Sequence, residues 1–249
     1  MKESMKFNNF TIFILGLFLI FSCKKNDSDN TPDIGKDYFP IKVGSYIIYD
    51  VDSSFYDDFY IPTKVTTTQF QLKEKIQSIY YDNQNRPTAR LERYIRTTSN
   101  MAWNLKNVWS MNITSTTAER VEENVRFIKL VFPVKAKQIW NTNNQNTLEE
   151  RILKYTSVDE PETIGNLSFN AVATTEYDDG GEILTNREYN SEKFAKNIGL
   201  VYRKEIHIES QPNSSATAEE LQLFYATPIM DRITSGYQYS WTINSYGVE

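Results

Sequence analysis

The chain of 249 residues has one cysteine and one histidine, and little glycine or proline (nine and eight residues). With a single Cys no intrachain disulfide can form, so any fold must be held by its core. Zinc sites draw on several Cys or His ligands, which the chain cannot supply. A Ser-His-Asp triad would have to use His207, and no G-x-S-x-G turn is present to carry the serine. The phosphate-cradling patterns G-x-x-x-x-G-K and G-x-G-x-x-G are also absent, so no nucleotide cofactor is expected. Basic residues are not clustered and the net charge is −5. Nucleic acid, which needs a positive footprint, is therefore not an expected partner.

What is present begins at the N-terminus. Lys2 and Lys6 precede an apolar run from Phe10 to Phe21, followed by Ser22 and the lone Cys23. The run is shorter than the roughly 20 residues a helix needs to cross a hydrocarbon core. A basic start, a short apolar stretch and a small residue before the cut are the marks of a cleaved signal. Ile20, Phe21, Ser22 and Cys23 resemble a bacterial lipobox. That resemblance implies cleavage before Cys23, acylation of its sulfur and amine, and attachment to a membrane. Lys24, where an Asp would retain such a protein in the inner membrane, implies the outer membrane. The expected division is a signal peptide over 1–22, a lipidated N-terminus and tether over 23–37, and a β domain over 38–249. Residues 24–37 are almost devoid of apolar side chains and cannot offset their own ordering entropy.

The remainder reads as strands. Segments 46–51, 70–80, 91–97, 108–113, 125–132, 167–177, 200–208 and 237–243 alternate apolar with polar residues or are rich in β-branched and aromatic ones. Polar turn clusters separate them, and Asp179-Gly180 suits a hairpin turn that needs positive φ. Only 191–197 reads as helix, with Ser191 as N-cap and Gly199 beyond its end. Crossover helices are missing, so the expected fold is all-β: a curved antiparallel sheet or half-barrel with one short helix.

Phe39, Pro40, Ile41, Lys42 and Phe132, Pro133, Val134, Lys135 share the pattern F-P-[IV]-K. They suggest two related β units, 38–131 and 132–249. The first copy, with Gly44 and the aromatic strand after it, resembles the start of a group of uncharacterised bacterial cell-envelope lipoproteins. Tyr189, Phe194, Ala195, Lys196, Gly199, Leu200, Val201 and Tyr202 resemble that group's closing motif. The resemblance implies a β fold and no particular chemistry.

Side-chain patterns name few candidates. His207 falls on a strand face with Arg203, Glu205 and Glu209, read as a solvent-facing charge ladder. The acidic pairs Asp57-Asp58, Glu122-Glu123, Glu149-Glu150 and Asp178-Asp179 are adjacent in sequence and so point apart on a strand. They read as turns or solvated edges, with an oxygen-ligand calcium site conceivable only at Asp57-Asp58 or Asp178-Asp179. Tyr237, Tyr239, Trp241 and Ile243 share one face, as do Trp109, Met111 and Ile113. Such stripes pack a core, line an apolar cavity or stack sugars. Phe55, Tyr56, Phe59 and Tyr60 flank Asp57-Asp58 and mark a contact surface. No catalytic, cofactor or metal residue is assigned. The expectation is a non-catalytic, membrane-anchored module with an unknown protein, glycan or lipid ligand. The alternatives are a carrier holding a hydrophobic or lipid ligand in a half-barrel cavity, and a carboxylate-dependent glycan hydrolase.

Overall fold

The computed structural model describes residues 32–180 and 184–249. The signal segment, Cys23 and most of the tether lie outside the described residues. Ile34–Glu249 form one compact unit. Residues 34–37, assigned to the tether by composition, belong to this unit, where Ile34 O accepts from Val134 N at 3.0 Å; Tyr38 and Phe39, at the expected start of the β domain, are buried.

Among the described residues, twelve strands make one antiparallel sheet. They are β1 (Ser45–Asp57), β2 (Lys64–Tyr81), β3 (Pro87–Arg96), β4 (Asn104–Ile113), β5 (Thr117–Glu122) and β6 (Val125–Val131), then β7 (Ile139–Asn141), β8 (Ile152–Ile164), β9 (Leu167–Asp178), β10 (Asn186–Ala195), β11 (Gly199–Glu209) and β12 (Ser235–Val248). The stretches 38–131 and 132–249 carry six strands each. Neighbours in sequence pair throughout, except β6 with β7. The first and last strands pair instead, from Ser45 opposite Val248 to Tyr56 opposite Gly236. The curved sheet is thereby nearly closed into a barrel, with its seam in mid-chain between β6 and β7. The side chains of Trp140, Thr142, Asn146 and Tyr155 and a backbone hydrogen bond bridge the seam. Ile128 N donates to Thr142 O at 2.9 Å, and Trp140 Nε1 donates to Ile128 O at 3.0 Å. The Tyr155 hydroxyl accepts from Val131 N and donates to Val131 O, at 3.0 and 2.9 Å. A hydroxyl thus supplies both bonds that a ladder partner would give an edge strand.

Alternation explains the strands: in β1 Tyr49 and Val51 are buried while Asp50 and Asp52 are exposed. Gly236, at φ +109°, lets β12 start against β11, since a Cβ there would lie 2.2 Å from the His207 carbonyl oxygen.

The expected helix over 191–197 is a correction: these residues belong to β10 and the turn after it. Tyr189 to Ala195 pair with both β9 and β11, and Asn190, Glu192 and Phe194 are buried. Asn197 (φ +64°), read as the last helical residue, lies in the β10–β11 turn, and Gly199 (φ +102°), read as the residue past the helix end, starts β11. Positive φ serves a hairpin as readily as a helix end, and pairing on both sides outweighs the weak propensity of seven residues. The helix among the described residues is α1 (Ala218–Ala226) in the β11–β12 connection. Thr217 accepts from Glu220 N and the Glu220 side chain accepts from Thr217 N, a complete capping box.

Candidate functional site

A barrel of eight strands is just filled by side chains, and more strands leave room inside. Here the space is crossed by long charged side chains. Glu74 Oε1 accepts from Arg93 Nε at 2.9 Å and from Arg120 Nη2 at 2.7 Å. Glu122 Oε2 accepts from Arg203 Nη1 at 3.0 Å, and its other oxygen lies 3.3 Å from Lys129 Nζ and 3.7 Å from Arg120 Nε. Lys129 Nζ also donates to Glu192 Oε1 at 2.6 Å. Arg203 Nη2 donates to Glu205 Oε2 at 3.0 Å, and the Tyr237 and Tyr239 hydroxyls donate to the same carboxylate. Four acids (Glu74, Glu122, Glu192, Glu205) therefore face four bases (Arg93, Arg120, Lys129, Arg203), and the layer is neutral in itself.

The aromatic stripes brace this layer. The Arg93 guanidinium lies 3.4 Å from the Trp109 ring centre and 5.2 Å from that of Trp241. Arg203 lies 5.0 Å from Trp241 and 5.7 Å from Tyr239. Tyr237, Tyr239 and Trp241 stack in series at 5.9 and 6.0 Å. Guanidinium groups on aromatic faces gain from the ring quadrupole, more so when desolvated. These faces are consequently occupied and do not form an open platform for a sugar.

Titration follows from the pairing. Burial alone would raise Glu122, but Arg203, Lys129 and Arg120 outweigh it and hold the carboxyl well below the usual range. Burial likewise opposes the ionised form of Glu205, and Arg203 with the Tyr239 hydrogen bond drives it lower. Burial pushes the Tyr239 phenol up, with Glu205 adding to the rise. Both acids are stabilised as carboxylates, the opposite of what a general acid needs near neutral pH.

Among the described residues, three hollows meet the layer, a small one of about 90 Å³ beside Glu122, Lys129, Arg203 and Glu205 and two larger ones. One of the larger pair, of about 460 Å³, is lined by Val51, Phe70, Leu72, Phe127 and Tyr239 with Arg93, Lys106, Glu122 and Arg203 beneath. The other, of about 230 Å³, lies at the end where the chain enters the barrel. Phe39, Ile47, Ile76, Leu91, Met111 and Leu200 wall it, and Glu74 and Arg120 meet it from the layer. Along β1, β3 and β4 the first hollow uses Val51, Arg93 and Trp109, and the second uses Ile47, Leu91 and Met111, so they open toward opposite ends.

Several expectations are revised by this geometry. Of the ladder Arg203, Glu205, His207 and Glu209, the first two turn into the barrel while Glu209 is exposed. Arg203 is buried in the barrel and Glu205 is nearly so. His207 is half-exposed at the end of the same face, with Nδ1 3.3 Å from Glu188 and its ring on Tyr237. Glu122, read as a turn or solvated edge, is an interior residue; only Glu123 occupies the turn, at φ +47°. The physical reason is common to both: a wide lumen is spanned by Arg and Glu where apolar chains are too short. Asp178 and Asp179 are both engaged by Arg187, and Asp57 accepts from Phe59 N. No cluster of three metal-ligating residues occurs among the described residues.

The expected contact surface is a hairpin rather than a loop throughout. Phe55 and Tyr56 are in β1, and Phe59 and Tyr60 are in the turn beyond it. Phe59 is 87% exposed, packs edge-on against Tyr60, and is followed by fully exposed Ile61. Tyr56 is tied down by Gln238 at 2.7 Å. Sequence reasoning missed Glu74, Arg93, Arg120, Lys129 and Glu192. A charged residue at an inward position of an otherwise apolar alternation, as Glu74 is between Leu72 and Ile76, was the available signal.

No family model matches the sequence, and no curated protein matches it. Among solved structures, the chain is similar to a protein inferred to be exported, with a YmcC-like fold, from Bacteroides fragilis. Identity is 10%, the TM-score is 0.42, and the alignment covers 84% of this chain and 98% of that one. It is also similar to a candidate lipoprotein from Parabacteroides distasonis, at 7% identity and a TM-score of 0.37, covering 84% and 98%. Both likenesses are too distant to assign a function.

Proposed function

We propose that this chain is a lipid-anchored, non-catalytic binding module of the bacterial cell envelope. Support for the anchor comes from the sequence: a basic start, a short apolar run, and Ile20, Phe21, Ser22 ahead of the lone Cys23. Two or more acyl chains on one cysteine hold a protein firmly where one chain holds it weakly. Lys24 favours the outer membrane as its home. No helix among the described residues is long and apolar enough to cross a membrane.

The observation that carries binding over catalysis is the balance of the interior layer. Each of its carboxylates is paired with a cation, and the facing cations lower the pKa values of Glu122 and Glu205 against the burial that opposes it. A glycan hydrolase would need one of two facing acids held protonated near neutral pH. A carrier of a hydrophobic ligand is the second reading, favoured by the apolar hollow of about 230 Å³.

The test of the anchor is Cys23→Ala in the native host, with alkyne-palmitate labelling and fractionation. The wild type is expected to label and sediment with outer membranes, and the variant to do neither. A variant that still sediments after a high-salt wash would contradict the anchor.

A further inference from the structure

The hollow at the chain's entrance into the barrel has largely apolar walls, the charged groups Glu74 and Arg120 on the layer side, and one lining cation, Lys42, that makes no ion pair among the described residues. Its walls are Phe39, from the segment before β1, and Ile47, Ile76, Leu91, Met111 and Leu200, from five different strands. Of the polar groups that reach it from within, Glu74 is held by Arg93 and Arg120 and the Tyr49 hydroxyl donates to Leu200 O at 2.8 Å, while Arg120 Nε makes no hydrogen bond and lies 3.7 Å from Glu122. By the measure in which one water needs about 10–15 Å³, 230 Å³ is far more than a solvent site. Walls of this kind do not bind water, because it would find too few partners there. Lys42 also lines the hollow, is exposed, and carries no ion pair among the described residues. The nearby carboxylate of Glu249 is already held by Lys73 and Lys75.

We infer that this hollow binds one acyl chain of an anionic amphiphile, tail inward against Leu91 and Met111 and head at Lys42. The inference rests on the binding-module reading and names its ligand class. A charged head cannot go to the floor, since the neutral ionic layer there offers no unbalanced charge and burial of a lone anion is heavily penalised. The tail gains about 0.8 kcal/mol for each methylene that leaves water, so the walls supply affinity and Lys42 supplies orientation. A free fatty acid and one chain of an anionic phospholipid present the same chemistry to this site.

The test uses the full chain in its own membranes with a photoactivatable fatty acid bearing a diazirine on its chain. Adducts are expected on the peptides holding Leu91, Met111 and Leu200. Leu91→Trp, which fills the hollow, is expected to cut them at least tenfold. Lys42→Glu is expected to lower fatty-acid labelling by about threefold, the scale of an exposed ion pair, while the melting temperature stays unchanged. Should Leu91→Trp fail to fold, Lys42→Glu and competition by unlabelled fatty acid decide the matter. A matching photoactivatable phospholipid separates the sources: labelling by the free acid alone assigns a fatty acid, and labelling by both assigns a bilayer lipid chain. Adducts only outside the hollow, or adducts indifferent to both variants and to competitor, would overturn the inference. If Cys23→Ala still released such a protein from membranes, the anchored-module reading would stand without this ligand.

Discussion

Replacing Glu122 with Gln takes one acid out of a layer in which four acids face four bases. Arg203, Lys129 and Arg120 all point at this carboxylate, two of them within 3.3 Å, and all three are buried. After the change three acids face four bases, and one cation's worth of charge is left buried without compensation. Breaking a buried ion pair by removing one partner costs about 3–5 kcal/mol. The retained amide oxygen can still accept from Arg203, which puts Glu122→Gln near the lower end of that range. In a domain of this size each kcal/mol shifts the melting temperature by about 2–4 °C, so a fall of at least roughly 6 °C is expected. Lys129→Met in the Glu122→Gln background restores neutrality with three acids and three bases. The double variant is therefore expected to be more stable than the sum of the two single losses by about 1–3 kcal/mol, the scale of coupling within one network. Urea unfolding followed by tryptophan fluorescence measures all four corners of the cycle. A loss under about 1 kcal/mol for Glu122→Gln, or strict additivity in the double variant, would refute the idea that charge balance holds the barrel interior together.

Three further outcomes follow from the same structure. Glu122 and Glu205 both have folded-state pKa values below their ordinary 4.5; their contribution to stability is present above that value and is lost as pH falls through the depressed folded values. Wild-type stability should thus drop steeply below about pH 4.5 in a pH series of urea melts, with a shallower slope for Glu122→Gln. Tyr155→Phe leaves Val131 N and O without their shared hydroxyl at the seam; a loss of about 1–3 kcal/mol and faster hydrogen exchange at Val131 are expected. Thr217→Ala removes the cap of α1, a helix with no buried residue, so exchange at Glu220 should rise while the global melting temperature moves by less than about 2 °C.

The strands that the sequence announced are those with one apolar face and one polar face. β1 and β12 are of this kind, and so is β4 with Trp109 and Met111 inward. β8 was not legible because its pairing with β9 slips between Tyr155 and Ser157, again before Glu160 and again before Glu162, which scrambles the period of two. β10 was mistaken for helix because Ser191, Glu192, Lys193, Ala195 and Lys196 are ordinary helix residues and only pairing on both sides makes them a strand. The interior site was hidden for a related reason. Glu122, Arg203 and Glu205 are charged, and charge in an alternating strand is ordinarily read as the solvent face. Only the count of twelve strands, and the lumen it implies, turns that face inward. The capping box at Thr217 and Glu220 was readable and overlooked; it needed no tertiary information.

Binding at the apolar hollow is the claim on which the functional account turns, and native mass spectrometry of the full chain, released from membranes in a removable mild detergent, tests it most directly. The account expects a population heavier than the ligand-free protein by one anionic amphiphile, a fatty acid or a phospholipid, and its loss in Leu91→Trp. A single ligand-free mass in both proteins, with folding of each verified by circular dichroism, would contradict it.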